Sequence, residues 1–256
     1  MFCEKIMNKK ILIILFLFLI IFTIIGCLHE KKNKIEKLKI IKEYKLKLPE
    51  PSGLDFTYDG SAFWTVSDEN NTVYKISLAG KILDKIKIEG NDLEGVSTID
   101  DSRIAVILER DRKIIILNTT GKEIRRAKLP LSGKLNSGIE GITYNPKTHH
   151  FFVVNEKDPL LLLELDSNLS ILKRKKINFV KDLSGLYFDE QNNNLWLISD
   201  KSKTVAICDT SGTLLKRYRV NIPQIEGIAI DRKKNKIYLV SDLKEKLYTL
   251  NMKTIQ

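Results

Sequence analysis

Cysteine and histidine are scarce in this sequence of 256 residues, which contains three of each. Cys3 and Cys27 fall in the N-terminal segment, so Cys208 is the only cysteine in the rest of the chain. This scarcity excludes an intramolecular disulfide framework and a cysteine-rich zinc site. Cys208 stands in an apolar, strand-like pattern and is predicted to be buried.

The sequence also lacks the short motifs of common enzyme classes. It has no G-x-S-x-G elbow, no H-E-x-x-H helix, no P-loop and no glycine-rich dinucleotide fingerprint. His149 and His150 are adjacent at a predicted turn, and His29 lies in a lysine-rich stretch. Because a catalytic base must lie within hydrogen-bond reach of its nucleophile, we interpret His149 and His150 as residues of a surface turn. No catalytic residue is predicted.

Proline and glycine are few, with 6 and 13 residues, while 43% of the chain is apolar. This composition is typical of a folded protein, and a chain of this length can bury a sizeable core in one domain. The net charge is +11 at pH 7. Without residues 1–27 it is about +9, which is strongly basic for one domain.

The first 27 residues resemble a bacterial lipoprotein signal. Two lysines precede an apolar run over residues 11–22, which is the layout of a secretory signal peptide. Gly26 and Cys27 then resemble the lipobox, in which the cysteine is lipidated and becomes the mature N-terminus. The alternative is an uncleaved anchor, because residues 11–28 are just long enough to span a bilayer.

Both alternatives place the remainder of the chain on the far side of the membrane, in the bacterial cell envelope. We therefore expect no nucleic acid partner. We expect attachment to the membrane through the lipid on Cys27 and through a basic tether at residues 28–39. Each basic residue of such a tether that lies close to an anionic membrane surface strengthens membrane binding by about 1 kcal/mol.

A repeat of 42 to 46 residues runs through the rest of the chain. Each copy begins with a glycine that is followed by an apolar residue: Gly53, Gly95, Gly141, Gly185 and Gly227. Short apolar runs separated by turn residues follow each glycine, and this pattern indicates strands rather than helices. A repeat of this length predicts an all-β, five-bladed β-propeller of four-stranded blades over residues 40–256.

The repeat is permuted by one strand. Fourth strands are predicted to begin at Ile82, Glu123, Ile171 and Leu214. The fifth repeat reaches Met252 without a fourth strand, but residues 40–46 show the same pattern seven residues before Gly53. We predict that this N-terminal strand completes the last blade, because closure removes the free edges of a linear stack of sheets.

Three short motifs carry a family resemblance: D-L-E-G-V at residues 92–96, S-D-E at 67–69 and E-R-D-R at 109–112. Together they resemble the SdiA-regulated, YjiK-like family over about residues 40–252. The resemblance implies an envelope-associated propeller. It also implies a fold similar to phytase-like and lactonase-like propellers, in which axial acidic residues can hold calcium.

Acidic residues recur at two positions of the repeat. Glu94, Glu140 and Glu226 precede a glycine, where the other two blades have Ser52 and Ser184. A second set follows the second strand of every blade: Asp68, Glu109, Glu156, Asp200 and Asp242. In a propeller both positions open on one face, so up to eight carboxylates converge there.

Converging carboxylates repel one another unless a cation, a basic neighbour or a raised pKa relieves them. Calcium suits such a site, because it takes six to eight oxygen ligands. Glu94, Glu140 and Glu226 are therefore the first-choice metal ligands. The acids after the second strands are weaker candidates, because an acid there can also accept backbone N–H bonds within a turn.

Much of the basic excess falls on the predicted fourth strands, which are outermost in each blade, so we expect a basic rim around an acidic face. Lysine on an edge strand also opposes aggregation, which is the alternative reason for the rim. The favoured hypothesis is an envelope protein that binds a ligand or partner on its acidic face through calcium. The alternatives are a metal-dependent ester or phosphoester hydrolase and a scaffold that docks on an envelope polymer through the rim.

Overall fold

The computed structural model describes residues 35–134 and 137–252, and this part of the chain forms twenty β-strands and no α-helix. Lys37–Gln256 is one of the two compact units into which the chain divides. Its strands form five antiparallel sheets of four strands each. The predicted five-bladed β-propeller is therefore confirmed.

In blades one to four the strands lie side by side in the order in which they occur along the chain. Blade one contains β2 (Pro51–Phe56), β3 (Ala62–Ser67), β4 (Thr72–Ser77) and β5 (Ile82–Lys87). Blade two contains β6 (Leu93–Thr98), β7 (Arg103–Leu108), β8 (Lys113–Asn118) and β9 (Glu123–Lys128). Blade three contains β10 (Ile139–Asn145), β11 (His150–Asn155), β12 (Leu161–Leu165) and β13 (Ile171–Lys176). Blade four contains β14 (Gly185–Asp189), β15 (Asn194–Ser199), β16 (Thr204–Asp209) and β17 (Leu214–Arg219).

Blade five is closed by the N-terminal strand. It contains β18 (Ile225–Asp231), β19 (Lys236–Ser241), β20 (Lys246–Asn251) and β1 (Ile40–Lys45). Strand β1 runs antiparallel to β20, with Ile40 opposite Leu250 and Lys45 opposite Lys246. The predicted closure is confirmed, and it joins the two ends of the described chain in one sheet.

The five recurring glycines lie where the first strands of neighbouring blades approach one another around the axis. A Cβ atom on Gly227 would lie 2.5 Å from the carbonyl carbon of Gly53, and one on Gly141 would lie 2.9 Å from the Cα of Gly185. Real Cβ atoms do not approach backbone atoms this closely. The repeat therefore keeps glycine because any side chain would push two blades apart.

The hydrophobic core lies between adjacent blades. Strands β7 and β8 are almost continuously apolar and buried, because both faces of a blade are covered by its neighbours. Val66 and Val73 of blade one, for example, pack in one cluster with Val96 and Ile104 of blade two. The outermost strands differ: β13 is exposed along nearly its whole length, as the predicted basic rim requires.

Polar contacts also join the blades. Asp55 Oδ2 of blade one accepts a hydrogen bond from the Thr98 amide of blade two at 2.8 Å. Thr143 Oγ1 of blade three accepts one from the Phe188 amide of blade four at 2.9 Å, at the equivalent place in the repeat. These side chains satisfy amides that the sheets leave unpaired near the axis.

A buried ion pair joins blades four and five beside the closure. Asp189 is 3% exposed, and its Oδ2 accepts a hydrogen bond from Arg232 Nε at 2.8 Å and a second bond from Arg232 Nη2. The Arg232 guanidinium also lies 5.2 Å from the ring centroid of Trp196, whose indole N–H is 3.4 Å from the same carboxylate. An ion pair, a cation–π contact and hydrogen bonds therefore all stabilise this one contact between blades.

The predicted signal peptide at residues 1–27, with Cys27, and most of the predicted tether at 28–39 lie outside the described residues. In the part of the chain that the structure describes, no helix has the length and hydropathy needed to cross a membrane.

Candidate functional site

An acidic cavity opens at one end of the propeller axis. Its volume is about 250 Å³. The turns that enter the first strands and those that leave the second strands surround it, as the repeat predicts. Nine acidic side chains line it: Glu50, Asp68, Glu94, Glu140, Glu156, Asp182, Asp200, Glu226 and Asp242. Ser52, Ser184, Gln224 and Lys201 complete the lining of described residues.

The three glutamates that precede a glycine all lie in this cavity. Glu94, Glu140 and Glu226 occupy the same position at the start of the first strand in blades two, three and five. All three are partly buried, so their carboxyl groups are held close to the axis with little water around them.

Serine replaces glutamate in blades one and four, where its hydroxyl links neighbouring blades. Ser52 Oγ donates a hydrogen bond to the carbonyl oxygen of Glu94 at 2.6 Å. Ser184 Oγ donates one to the carbonyl oxygen of Ile225 at 2.7 Å. Where serine replaces glutamate, the side chain therefore joins two blades by a hydrogen bond.

Four of the five acids that follow the second strands also line the cavity, and Glu109 lies beside it. Glu109 Oε1 accepts a hydrogen bond from the Gly138 amide of the next blade at 2.8 Å. Asp200 pairs with Lys203 Nζ at 2.6 Å. Asp68 has one buried carboxylate oxygen with no hydrogen-bond partner. These acids thus share a location but not a role.

The sequence analysis missed three acids near the axis: Glu50, Asp92 and Asp182. Each stands two residues before the serine or glutamate that precedes the glycine. Residues two apart on a strand share a face, so this signal was present in the sequence. In blades one and four the acid stands at this earlier position, as Glu50 and Asp182, and serine precedes the glycine. Blade two has both Asp92 and Glu94.

Asp182 illustrates a local use of such an acid. It is 3% exposed and accepts hydrogen bonds from the Ser199 hydroxyl and from the Lys201 amide, the latter at 3.1 Å. These contacts hold the turn that leaves β15. Asp182 is therefore committed to the fold rather than open to a ligand.

Two groups of three carboxylates place one oxygen each within 4.8 Å of the others. Asp68, Asp92 and Glu94 form the first triad, and Glu109, Glu140 and Glu156 form the second. Glu94 and Glu140 thus belong to different triads, and Glu226 belongs to neither. The structure brings the three first-choice ligands into one cavity, but it groups Glu94 with Asp68 and Asp92 and Glu140 with two acids that follow second strands.

Burial and mutual repulsion raise the pKa values of these carboxyl groups. Burial, with the charge of Asp68, raises the pKa of Glu94 to about 8. Burial, with the neighbouring Glu50, raises the pKa of Asp68 to about 7. The pKa values of Glu140 and Glu226 are also raised well above their usual range, chiefly by burial and then by the charge of Glu94.

Four described cations offset part of this charge. Arg110 Nε pairs with Asp92 Oδ2 at 2.5 Å, and Lys203 pairs with Asp200. Lys201 Nζ lies 3.3 Å from Glu156 Oε1, and Lys157 Nζ pairs with the other oxygen of the same carboxylate. Both lysines thus serve Glu156, and Glu94, Glu140 and Glu226 have no ion pair within the described chain. A divalent cation is the simplest group that could neutralise them.

The donor set indicates the kind of cation. Carboxylate, hydroxyl and amide oxygens line the cavity, and no described histidine or cysteine does. As predicted, His149 lies elsewhere, in a turn where its Nδ1 is 2.7 Å from the Tyr144 hydroxyl, and Cys208 is buried. Oxygen ligands alone favour a hard ion such as calcium or magnesium.

Five four-stranded blades around an acidic axial cavity define a β-propeller whose site lies at one mouth of its axis. The chain belongs to the SdiA-regulated family: the sequence model of that family matches residues 30–250.

Solved structures with a similar fold include two enzymes. The glutaminyl cyclase of Myxococcus xanthus superposes with a TM-score of 0.68 at 16% identity, over 86% of this chain and 98% of that one. Virginiamycin B lyase from Staphylococcus aureus superposes with a TM-score of 0.52 at 17% identity, over 82% of this chain and 69% of that one. At these identities the similarity is one of fold.

Proposed function

We propose that this protein is a membrane-anchored propeller of the cell envelope that binds a ligand or partner through a divalent cation, calcium, in its axial cavity. The observation that carries the proposal is the pair of carboxylate triads, each with three oxygens within 4.8 Å. Asp68, with its unpartnered buried oxygen, and Glu140, with its strongly raised pKa, are costly for an empty site. A bound cation would relieve both.

Calcium is expected to raise the melting temperature of the protein at pH 8 by about 5–10 °C once it exceeds its Kd about 100-fold. A Glu94→Gln, Glu140→Gln variant removes one ligand from each triad and should show no calcium shift. The same variant should be more stable than the wild type at pH 8 without calcium, because it removes two buried carboxyl groups whose ionisation the folded state disfavours. Calorimetry with and without a chelator measures both effects.

Asp84→Asn is the matched control for that experiment, because Asp84 is an exposed acid on the outer strand β5. Its calcium shift should equal that of the wild type. An equal shift in the Glu94→Gln, Glu140→Gln variant, or no shift in the wild type, would show that the cavity does not bind calcium.

The envelope location rests on the sequence of residues 1–39. If Cys27 carries the lipid, Cys27→Ser should release the protein from the membrane fraction or leave an unprocessed precursor. Fractionation followed by mass spectrometry of the mature N-terminus distinguishes these results. A wild-type protein that keeps residues 1–26, together with unchanged membrane attachment of Cys27→Ser, would instead indicate an uncleaved anchor.

A metal-dependent ester or phosphoester hydrolase is the second candidate function. The observation in its favour is the pKa of Glu94, about 8, because such a carboxyl group can accept or donate a proton near neutral pH. A bound cation would add the power to polarise an ester or phosphoester. Turnover of a substrate in a broad ester and phosphoester panel, lost in Glu94→Gln, would favour this candidate over binding alone.

A further inference from the structure

The outermost strand of every blade carries a β-bulge at the same place. In blade one Ile76 lies opposite Ile82 and Lys75 lies opposite Asp84, so Leu83 has no partner on β4. The same shift leaves one unpaired residue on each of the other four outermost strands. The five unpaired residues are Ile41, Leu83, Ile124, Leu172 and Leu215.

All five bulge residues are large aliphatic side chains, and each is between 49% and 55% exposed. Single exposed aliphatic residues are common on protein surfaces, but these five repeat at one position of the fold. A bulge by itself protects an edge strand from pairing with another chain, and a polar residue would serve that purpose better. Protection therefore explains the bulges but not the aliphatic side chains.

The bulges lie around the face that is opposite the acidic cavity. In blades one to four the bulge follows the turn between the third and fourth strands, which opens on the same face as the turn between the first and second strands. In blade five Ile41 lies beside the C-terminal end of β20, which reaches the same face. Ile124 confirms this placement, because it lines a groove of about 340 Å³ with Arg103 and His149, which stand at first-to-second-strand turns. We call this ring of five aliphatic residues the basal ring.

Basic residues accompany the basal ring. A lysine or arginine follows the bulge within two positions in every blade: Lys42, Lys85, Arg125, Lys173 and Lys216. Exposed aliphatic side chains next to basic ones are typical of proteins that lie on an anionic bilayer, with the aliphatic groups in the acyl boundary and the cations at the headgroups.

The chain also joins the propeller close to this ring. Leu38 is buried and its amide donates to the carbonyl oxygen of Arg219 at 2.9 Å, after which the chain enters β1 at Ile40, next to the bulge at Ile41. The upstream segment is therefore joined to the propeller three residues before Ile41 of the basal ring, although the contact of Leu38 with Arg219 lies at the opposite end of β17 from Leu215.

We infer that the basal ring docks the propeller flat on an anionic lipid bilayer and turns the acidic cavity away from the membrane. A bilayer fits because it is an extended anionic surface that can contact five residues spaced around a ring at once. The inference extends the proposed envelope location, and it does not depend on cation binding in the cavity.

The test uses residues 37–256 without the upstream segment, because all twenty strands and all five core clusters lie within them. Cosedimentation with vesicles of equal parts phosphatidylglycerol and phosphatidylcholine should show binding that phosphatidylcholine alone does not support. A Leu83→Ser, Ile124→Ser, Leu172→Ser, Leu215→Ser variant should bind at least about tenfold more weakly. Its melting temperature should stay close to that of the wild type, because these side chains are exposed.

Leu243→Ser is the matched control, because Leu243 is 59% exposed but follows Asp242 on the side of the cavity. Its vesicle binding should equal that of the wild type. Equal losses in the two variants, or no loss in the four-site variant, would overturn the inference. Binding that salt abolishes but the four-site variant retains would indicate a purely basic surface for anionic polymers, and bilayer docking would be wrong. If residues 37–256 do not bind vesicles while Cys27→Ser still releases the full chain from the membrane, the lipid anchor is supported and docking through the basal ring is wrong.

Discussion

Replacing Arg232 with methionine is expected to lower the free energy of unfolding by about 3–5 kcal/mol, because it leaves the carboxylate of Asp189 buried without its charge partner. Asp189 is 3% exposed, so water cannot replace the lost guanidinium. The change also removes the contact of Arg232 with the Trp196 ring beside the closing blade. Denaturant unfolding followed by tryptophan fluorescence measures the loss.

Lys234→Met is the control for this experiment. Lys234 pairs with Asp231 at 3.1 Å in the same turn, but its side chain is 55% exposed, so its loss should change the free energy of unfolding by less than about 1 kcal/mol. An Asp189→Asn, Arg232→Met double variant should recover part of the stability, because no buried charge remains. A loss below about 1 kcal/mol in Arg232→Met would show that this ion pair contributes little to the contact between blades four and five.

Raising the pH from 5 to 8 is expected to destabilise the protein when divalent cations are absent. Glu94 has a pKa of about 8 in the folded protein, against its ordinary value of 4.5. The folded state therefore binds the proton more tightly than the unfolded state. The resulting stabilisation is complete below pH 4.5 and is lost as the pH rises to about 8, which amounts to about 3 kcal/mol for Glu94 alone between pH 5 and 8.

Chemical denaturation at several pH values in a chelating buffer tests this dependence. The Glu94→Gln, Glu140→Gln variant should show a smaller loss between pH 5 and 8. A remainder is expected from Asp55, whose pKa burial raises to about 7 at a site outside the cavity. Calcium at pH 8 should restore stability to the wild type but not to the variant. Stability that is constant or rises over this range would mean that the cavity acids are already relieved by other groups.

The fold could be predicted almost completely because the residues that indicate it repeat once in every blade. Glycine at a spacing of 42 to 46 residues marked the five close contacts around the axis, and short apolar runs marked the strands between them. The pairing of β1 with β20 was also predictable, since residues 40–46 repeat the pattern of the other fourth strands before the glycine of blade one.

The site was predicted in part, for reasons that differ between residues. Glu94, Glu140 and Glu226 stood out because they repeat, and their positions on one face follow from propeller topology. Glu50 and Asp92 were missed because the search followed only the position directly before the glycine and the position after the second strand, although residues two apart share a face of a strand. Distances between side chains of different blades depend on twist and packing, which no local pattern records.

The sequence by itself determined the five-fold repeat, the acidic face with its basic rim and the strand that closes the last blade, because each is a regularity along one chain. The tertiary structure alone decided which carboxylates meet, since Asp68 joins Glu94 while Glu226 stays apart. It also decided that Leu83 and its four counterparts are exposed. A bulge changes the register by one residue, and that shift is defined only by the strand on the other side.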